Sequence, residues 1–171
     1  QFLEKRYDDP AWKVPEVIVT WGQNPTMGCP DGFYGFWIVD CMKRGSKIIA
    51  IDPRNTWMTG RAAHHLQLRP GTDGALALGM LNVIINEGIY DKDFVAKWVQ
   101  GFDELKARVQ EYSVDKVAAI TEVPAADIVA AARMFANAAQ AAIQWGVPID
   151  MCPDGTAVAH AIICLWSITG N

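Results

Sequence analysis

A chain of 171 residues with 51% hydrophobic and 20% charged side chains is long enough to bury a core and too apolar to be disordered. Its formal charge of -4 comes without any basic cluster, which excludes an electrostatic footprint for nucleic acid. No apolar run reaches membrane-spanning length, so direct membrane insertion is not expected, and the charged opening Gln1-Phe2-Leu3-Glu4-Lys5-Arg6 lacks the apolar core of a secretory signal.

Val17-Ile18-Val19-Thr20 is a short continuous apolar run ended by Trp21-Gly22, the pattern of a parallel strand buried on both faces. A helix is expected from Asp31, a possible cap, to Arg44, with Lys43 and Arg44 suiting its negative end and Gly45 closing it. Lys47-Ile48-Ile49-Ala50-Ile51 predicts the second strand, and the weaker alternation of His65-Leu66-Gln67-Leu68 a short third one. Residues Asp73 to Asn86 are apolar nearly all round and predict a buried helix closed by Gly88. From Asp91 to Ala139 the pattern is helical, with Ser113 as an N-cap and Pro124 as a first helical residue. Ala142-Ile143-Gln144-Trp145 predicts a fourth strand and Thr156 to Ile168 a last helix. The whole predicts one α/β domain over residues 1–171, a Rossmann-like doubly wound parallel sheet of about four strands in the order 3-2-1-4. Ligands of such sheets bind at the carboxyl ends of the strands where the order reverses, here between the first and fourth.

Two segments echo each other. Trp21-Gly22 leads to Cys29-Pro30-Asp31-Gly32 and then Cys41; Trp145-Gly146 leads to Cys152-Pro153-Asp154-Gly155 and then Cys164. Helix capping accounts for the Pro-Asp-Gly portion but not for the paired Trp-Gly or the cysteines. Both loops are therefore expected to line one crevice. None of the four cysteines has CxxC spacing, and free buried thiols are the expectation for them.

Three loops can carry chemistry. Trp21-Gly22-Gln23-Asn24-Pro25 follows the first strand, and it reads equally as a ligand loop or as an Asn-Pro turn. Ile51-Asp52-Pro53-Arg54-Asn55 follows the second, where a carboxylate can take ribose hydroxyls and Arg54 a diphosphate; a plain Asp–Arg pair is the competing reading. Gly71-Thr72-Asp73 precedes the buried helix, where Thr72 or Asp73 can cap it, or the Asp73 carboxylate can accept the two adjacent N–H donors of guanine. No G-x-G-x-x-G follows the first strand and no P-loop is present, which disfavours nicotinamide, flavin and P-loop sites. His64 and His65 point to opposite faces of a strand and cannot jointly hold a metal, and no catalytic residue is suggested by spacing.

Taken in series, Trp21-Gly22-Gln23-Asn24-Pro25, Ile51-Asp52-Pro53-Arg54 and Arg69-Pro70-Gly71-Thr72-Asp73-Gly74-Ala75 resemble the dimethyl sulfoxide reductase family of molybdopterin oxidoreductases. Tyr90-Asp91-Lys92-Asp93-Phe94-Val95, Gln144-Trp145-Gly146 and Leu165-Trp166-Ser167-Ile168-Thr169-Gly170-Asn171 extend the likeness over roughly residues 15 to 171. The resemblance implies an internal cofactor-binding domain of a larger catalytic subunit, and the chain ends are expected to be cuts through a longer sequence. It implies a bis(molybdopterin guanine dinucleotide) cofactor carrying molybdenum or tungsten, with one dinucleotide tail held by Trp21 to Gly28, Ile51 to Asn55 and Gly71 to Asp73, and the Gly146 loop near the pterin. A 4Fe-4S cluster and the protein ligand to the metal would lie in upstream parts not present here, so no catalytic or metal residue is assigned and the fragment alone is expected to be inactive. The implied partners are the remaining domains of the same subunit and an iron–sulfur electron-transfer subunit, in the setting of anaerobic respiration. The intact enzyme is expected in the cytoplasm or exported to the periplasm. A noncatalytic nucleotide-binding or structural Rossmann-like domain is the alternative.

Overall fold

The computed structural model describes residues 13–28 and 33–171. Strands β1 (Val17–Trp21), β2 (Lys47–Ile51), β3 (His64–Leu66) and β4 (Ala141–Trp145) form one parallel sheet in the order β3-β2-β1-β4. This is the expected 3-2-1-4 arrangement, with β1 in the middle and the order reversing between β1 and β4. Every residue of β1 is buried, as its unbroken apolar run predicts.

The two faces of the sheet divide the core by the period of two. Val17, Val19, Trp21, Ile49 and Ile51 face helices α3 (Asp73–Glu87), α7 (Ala125–Ala136) and α9 (Gly155–Thr169), meeting Leu76, Met80, Ile84, Phe135 and Leu165. Ile18, Ile48 and Ala50 face the other way, against Ile38 and Cys41 of α2 (Phe33–Lys43) and against Met58. A short helix α1 (Pro25–Gly28) precedes α2. Each fully buried Ile, Leu or Phe contributes about 1.5–3 kcal/mol, so burial on both faces holds the strand ends in place.

Helix α3 is buried nearly all round, and Gly88 ends it at φ +67° with its N–H shared between the Ile84 and Ile85 carbonyls. The helical stretch after it resolves into α4 (Lys92–Trp98), α5 (Phe102–Val109), α6 (Val114–Thr121) and α7. Asp91 caps α4 by accepting the Phe94 N–H at 2.8 Å. Ser113 occupies the N-cap of α6 without a side-chain bond, and Pro124 is the N-cap of α7 rather than its first helical residue. Helix α8 (Val147–Asp150) is one turn long.

Two expectations need adjustment, and one is not covered by the described residues. Strand β3 runs from His64 to Leu66 instead of His65 to Leu68, because the Leu68 N–H folds back onto the Leu66 carbonyl at 3.0 Å and closes the strand. Cys41 is a buried free thiol, pushed up to about 11 by burial and by Asp40, but Cys152 and Cys164 are only half-buried. The Asp31 cap and the Cys29-Pro30-Asp31-Gly32 half of the echo lie outside the described residues.

Candidate functional site

The carboxyl ends of all four strands feed loops into one place. The backbone knits them together: the Gly22 N–H donates to the Ile51 carbonyl at 2.7 Å, and the Gly146 N–H donates to the Trp21 carbonyl at 2.9 Å. Gly146 must be glycine for this approach, since a Cβ there would lie 2.4 Å from the Gly22 carbonyl oxygen. Above this floor opens a cavity of about 250 Å³, lined from the first three strands by Gly22, by Ile51 to Arg54, and by Leu68, Pro70, Gly71 and Asp73. Pro148, Ile149 and Cys152 close its far side. A cavity of about 350 Å³ at the opposite end of the strands, bordered by Pro15, Ser46 and Lys47, contains none of the candidate cofactor-binding residues.

Within the cavity wall, Asp52 is 2% exposed and holds Arg54 by a two-pronged pair, Nε to Oδ1 at 3.0 Å and Nη2 to Oδ2 at 2.9 Å. The Arg54 backbone N–H donates to Oδ1 as well, at 2.9 Å. Burial would raise the Asp52 carboxyl, but these bonds and the Arg54 charge outweigh it and hold it below the usual carboxylate value. Oδ1 already accepts twice and Oδ2 once, and with the side chain almost wholly buried little is left to meet ribose hydroxyls. The Arg54 guanidinium, by contrast, remains largely exposed and keeps Nη1 free of this pair for an anion. Side chains of β3 and the following residue brace the loop, with His65 Nε2 donating to the Asp52 carbonyl at 2.8 Å and Gln67 to the Pro53 carbonyl at 2.9 Å.

The start of α3 departs from the capping expected there. Thr72 stands at the N-cap, yet its hydroxyl donates to the Arg69 carbonyl at 2.6 Å and caps nothing. Asp73 makes no capping bond either and accepts the indole N–H of Trp21 at 2.8 Å. Trp21 itself is 0% exposed, so its ring stands behind the wall and offers no surface to a ligand. A buried indole N–H needs a partner, and here the Asp73 carboxylate serves it instead of the local cap.

A family model for molybdopterin oxidoreductase matches residues 10–171. The chain belongs to the molybdopterin oxidoreductase family. It is 51% identical over 130 residues to acetylene hydratase of Syntrophotalea acetylenica, a match covering 76% of this chain and 18% of that protein. It is 35% identical over 156 residues to formate dehydrogenase H of Escherichia coli K12, covering 91% of this chain and 22% of that one. The solved structure of acetylene hydratase from Pelobacter acetylenicus superimposes with a TM-score of 0.85 at 43% identity, over 91% of this chain and 21% of that one. The chain thus spans about a fifth of the length of the relatives it matches.

Of the molybdopterin family positions singled out in the sequence, the structure gathers Gly22, Ile51, Asp52, Pro53, Arg54, Gly71 and Asp73 on the cavity. Trp21, Thr72 and Gly146 are buried beside it, and the Gln23 Oε1 is buried without a hydrogen-bond partner. Asn24, Pro25 and Asn55 do not line it. Asn24 and Pro25 instead start α1, the Asn24 carbonyl accepting from the Met27 and Gly28 N–H groups. Leu68, Pro70, Pro148, Ile149 and Cys152 line the cavity without having been named as cofactor-binding residues. The echo of Trp-Gly was the signal for the last three, since Trp21 and Trp145 are register partners and their loops leave side by side. Among the described residues no cluster of His, Cys, Asp or Glu could hold a metal ion, and no helix is long and apolar enough to cross a membrane.

Proposed function

We propose that this chain forms the cradle for the guanine dinucleotide tail of a molybdopterin cofactor, as an internal domain of a larger molybdenum or tungsten oxidoreductase subunit. The observation that carries the reading is the meeting of four post-strand loops on one cavity whose lining includes both the Asp73 carboxylate and the largely exposed Arg54 guanidinium. The cavity is smaller than the pockets that enclose whole drug-sized ligands, which suits one nucleoside portion with the rest lying along open loops. Asp73 accepts the two N–H donors on the pairing edge of guanine, and Arg54, steadied by Asp52, faces the diphosphate. The close approach of Gly22 and Gly146 leaves the floor free of side chains where the tail would turn towards the pterin. When bound, the metal held by the pterin dithiolenes supplies the chemistry, and the chain's part is to position the cofactor and shape its electrostatics. Residues for the reaction itself belong to other domains of the intact subunit, and the chain alone is inactive in this reading. An iron–sulfur electron-transfer partner belongs to the same proposal.

Base selectivity tests it. GDP should bind this chain more tightly than ADP in calorimetry or NMR titration, and Asp73→Asn should reduce GDP affinity by at least about tenfold while leaving ADP nearly unchanged. Equal loss for both nucleotides, or none for either, would contradict the assignment and favour a structural use of the sheet.

A further inference from the structure

We infer that Trp21 is a positioning residue for guanine recognition: its indole N–H sets the plane of the Asp73 carboxylate from behind the cavity wall. The inference rests on the reading of Asp73 as the base acceptor.

The geometry points to it in three ways. Trp21 ends the central strand and is completely buried, so its ring cannot rotate without disturbing the core. Its Nε1–H reaches Asp73 Oδ1 at 2.8 Å across 52 positions of sequence, and among the described residues this is the carboxylate's one hydrogen bond. Asp73 meanwhile makes no side-chain bond to the N–H groups of α3, the 15-residue helix it begins, and Thr72 at the N-cap makes none either. The carboxylate is therefore oriented by the sheet, not by its own helix.

Guanine offers two parallel donors, N1–H and the N2 amine, and a carboxylate meets both only when its plane matches the plane of the base. A half-exposed Asp on a helix start would otherwise sample several rotamers and lose that freedom on binding. Fixing Oδ1 with a rigid, buried donor removes this cost in advance, while Oδ2 and the remaining lone pair of Oδ1 accept from no other group among the described residues. Trp145 supplies the contrast. It is the register partner of Trp21, but its indole N–H goes to Asp150 at 3.0 Å, five positions along and on an exposed turn outside the cavity lining.

The test uses GDP and IDP, which lacks the N2 amine, on the 171-residue chain. Trp21→Phe keeps most of the ring and deletes the donor. It should weaken GDP by about three- to tenfold, shrink the preference for GDP over IDP, and add nothing further in the Asp73→Asn background. If Trp21→Phe weakens GDP equally in both backgrounds, the residue acts only through packing and the inference is overturned. If Asp73→Asn leaves GDP and IDP affinities unchanged, the guanine reading itself has failed, whatever Trp21 does. Should Trp21→Phe not fold, the indole N–H resonance of Trp21 in the unsubstituted chain decides. It should shift on GDP addition, less on IDP, and a resonance unmoved while the Asp73 backbone amide shifts would overturn the inference.

Discussion

Two strand ends of this molecule carry the same dipeptide and have come to different uses. Trp21-Gly22 and Trp145-Gly146 are aligned in register on neighbouring parallel strands. Their tryptophans each donate an indole N–H to an aspartate. Yet β1 is central and wholly buried whereas β4 is an edge strand and half-buried. The central position sends the Trp21 N–H to the start of a distant helix; the edge position leaves Trp145 to a local Asp150 and to a tilted contact with Trp166, ring centroids 6.0 Å apart. The glycines diverge in the opposite direction. Gly22 has φ +60° and nothing nearer than 3.9 Å to an added Cβ, while Gly146 is packed directly against the Gly22 carbonyl. A shared local sequence thus acquires its role from its place in the sheet order.

The largest effect that can break this comparison is truncation of the rings. Trp21→Ala should destabilise by about 4 kcal/mol, since it empties a fully buried site and strands the Asp73 carboxylate, whereas Trp145→Ala should cost about half as much. Urea denaturation gives both values; equal losses would mean that the central and edge positions do not differ in the way described.

Next in size are the glycines. Gly146→Ala forces a backbone contact that no side-chain rotation relieves and should cost about 2–3 kcal/mol, while Gly22→Ala should cost about 1 kcal/mol for the left-handed backbone alone. Thermal melts would order the two, and a Gly22 variant less stable than the Gly146 variant would contradict the close approach of the two loops.

The smallest effect is the pH dependence of the Asp52–Arg54 pair. Because the folded Asp52 carboxyl lies below its ordinary 3.8, its contribution is full above that value and is lost as pH falls through the lower folded value. Asp52→Asn should therefore cost about 1–2 kcal/mol at neutral pH, and the gap from the unsubstituted chain should close once the pH falls well below about 4. A gap unchanged by acid would assign the loss to packing.

Much of this architecture was legible because it depends on period and composition. The unbroken runs Val17-Ile18-Val19-Thr20 and Lys47-Ile48-Ile49-Ala50-Ile51 mark buried parallel strands, and the alternation of strands and helices leads to the observed order of the sheet. The short β3 begins and ends earlier than its alternation suggests, because its end is set by a backbone turn at Leu66–Leu68, which has no periodic signature. The cavity's location followed from the strand order, and seven of the residues picked from three loops meet on it. What sequence could not supply was competition between partners. Asp73 looks like a helix cap locally, and only folding brings a buried indole donor to it from 52 positions away. Asp52 and Arg54 were legible as a pair, but not the commitment of both carboxylate oxygens to Arg54.

The central claim is that the four post-strand loops together receive a guanine nucleotide. Its most direct measurement is a GDP titration of the isotope-labelled chain, followed amide by amide in NMR. The account predicts shifts at Gly22 and Gln23, at Asp52 and Arg54, at Thr72 and Asp73, and at Ile149 and Cys152, all with one dissociation constant. Shifts confined to other surfaces, or two groups of loops titrating independently, would contradict it.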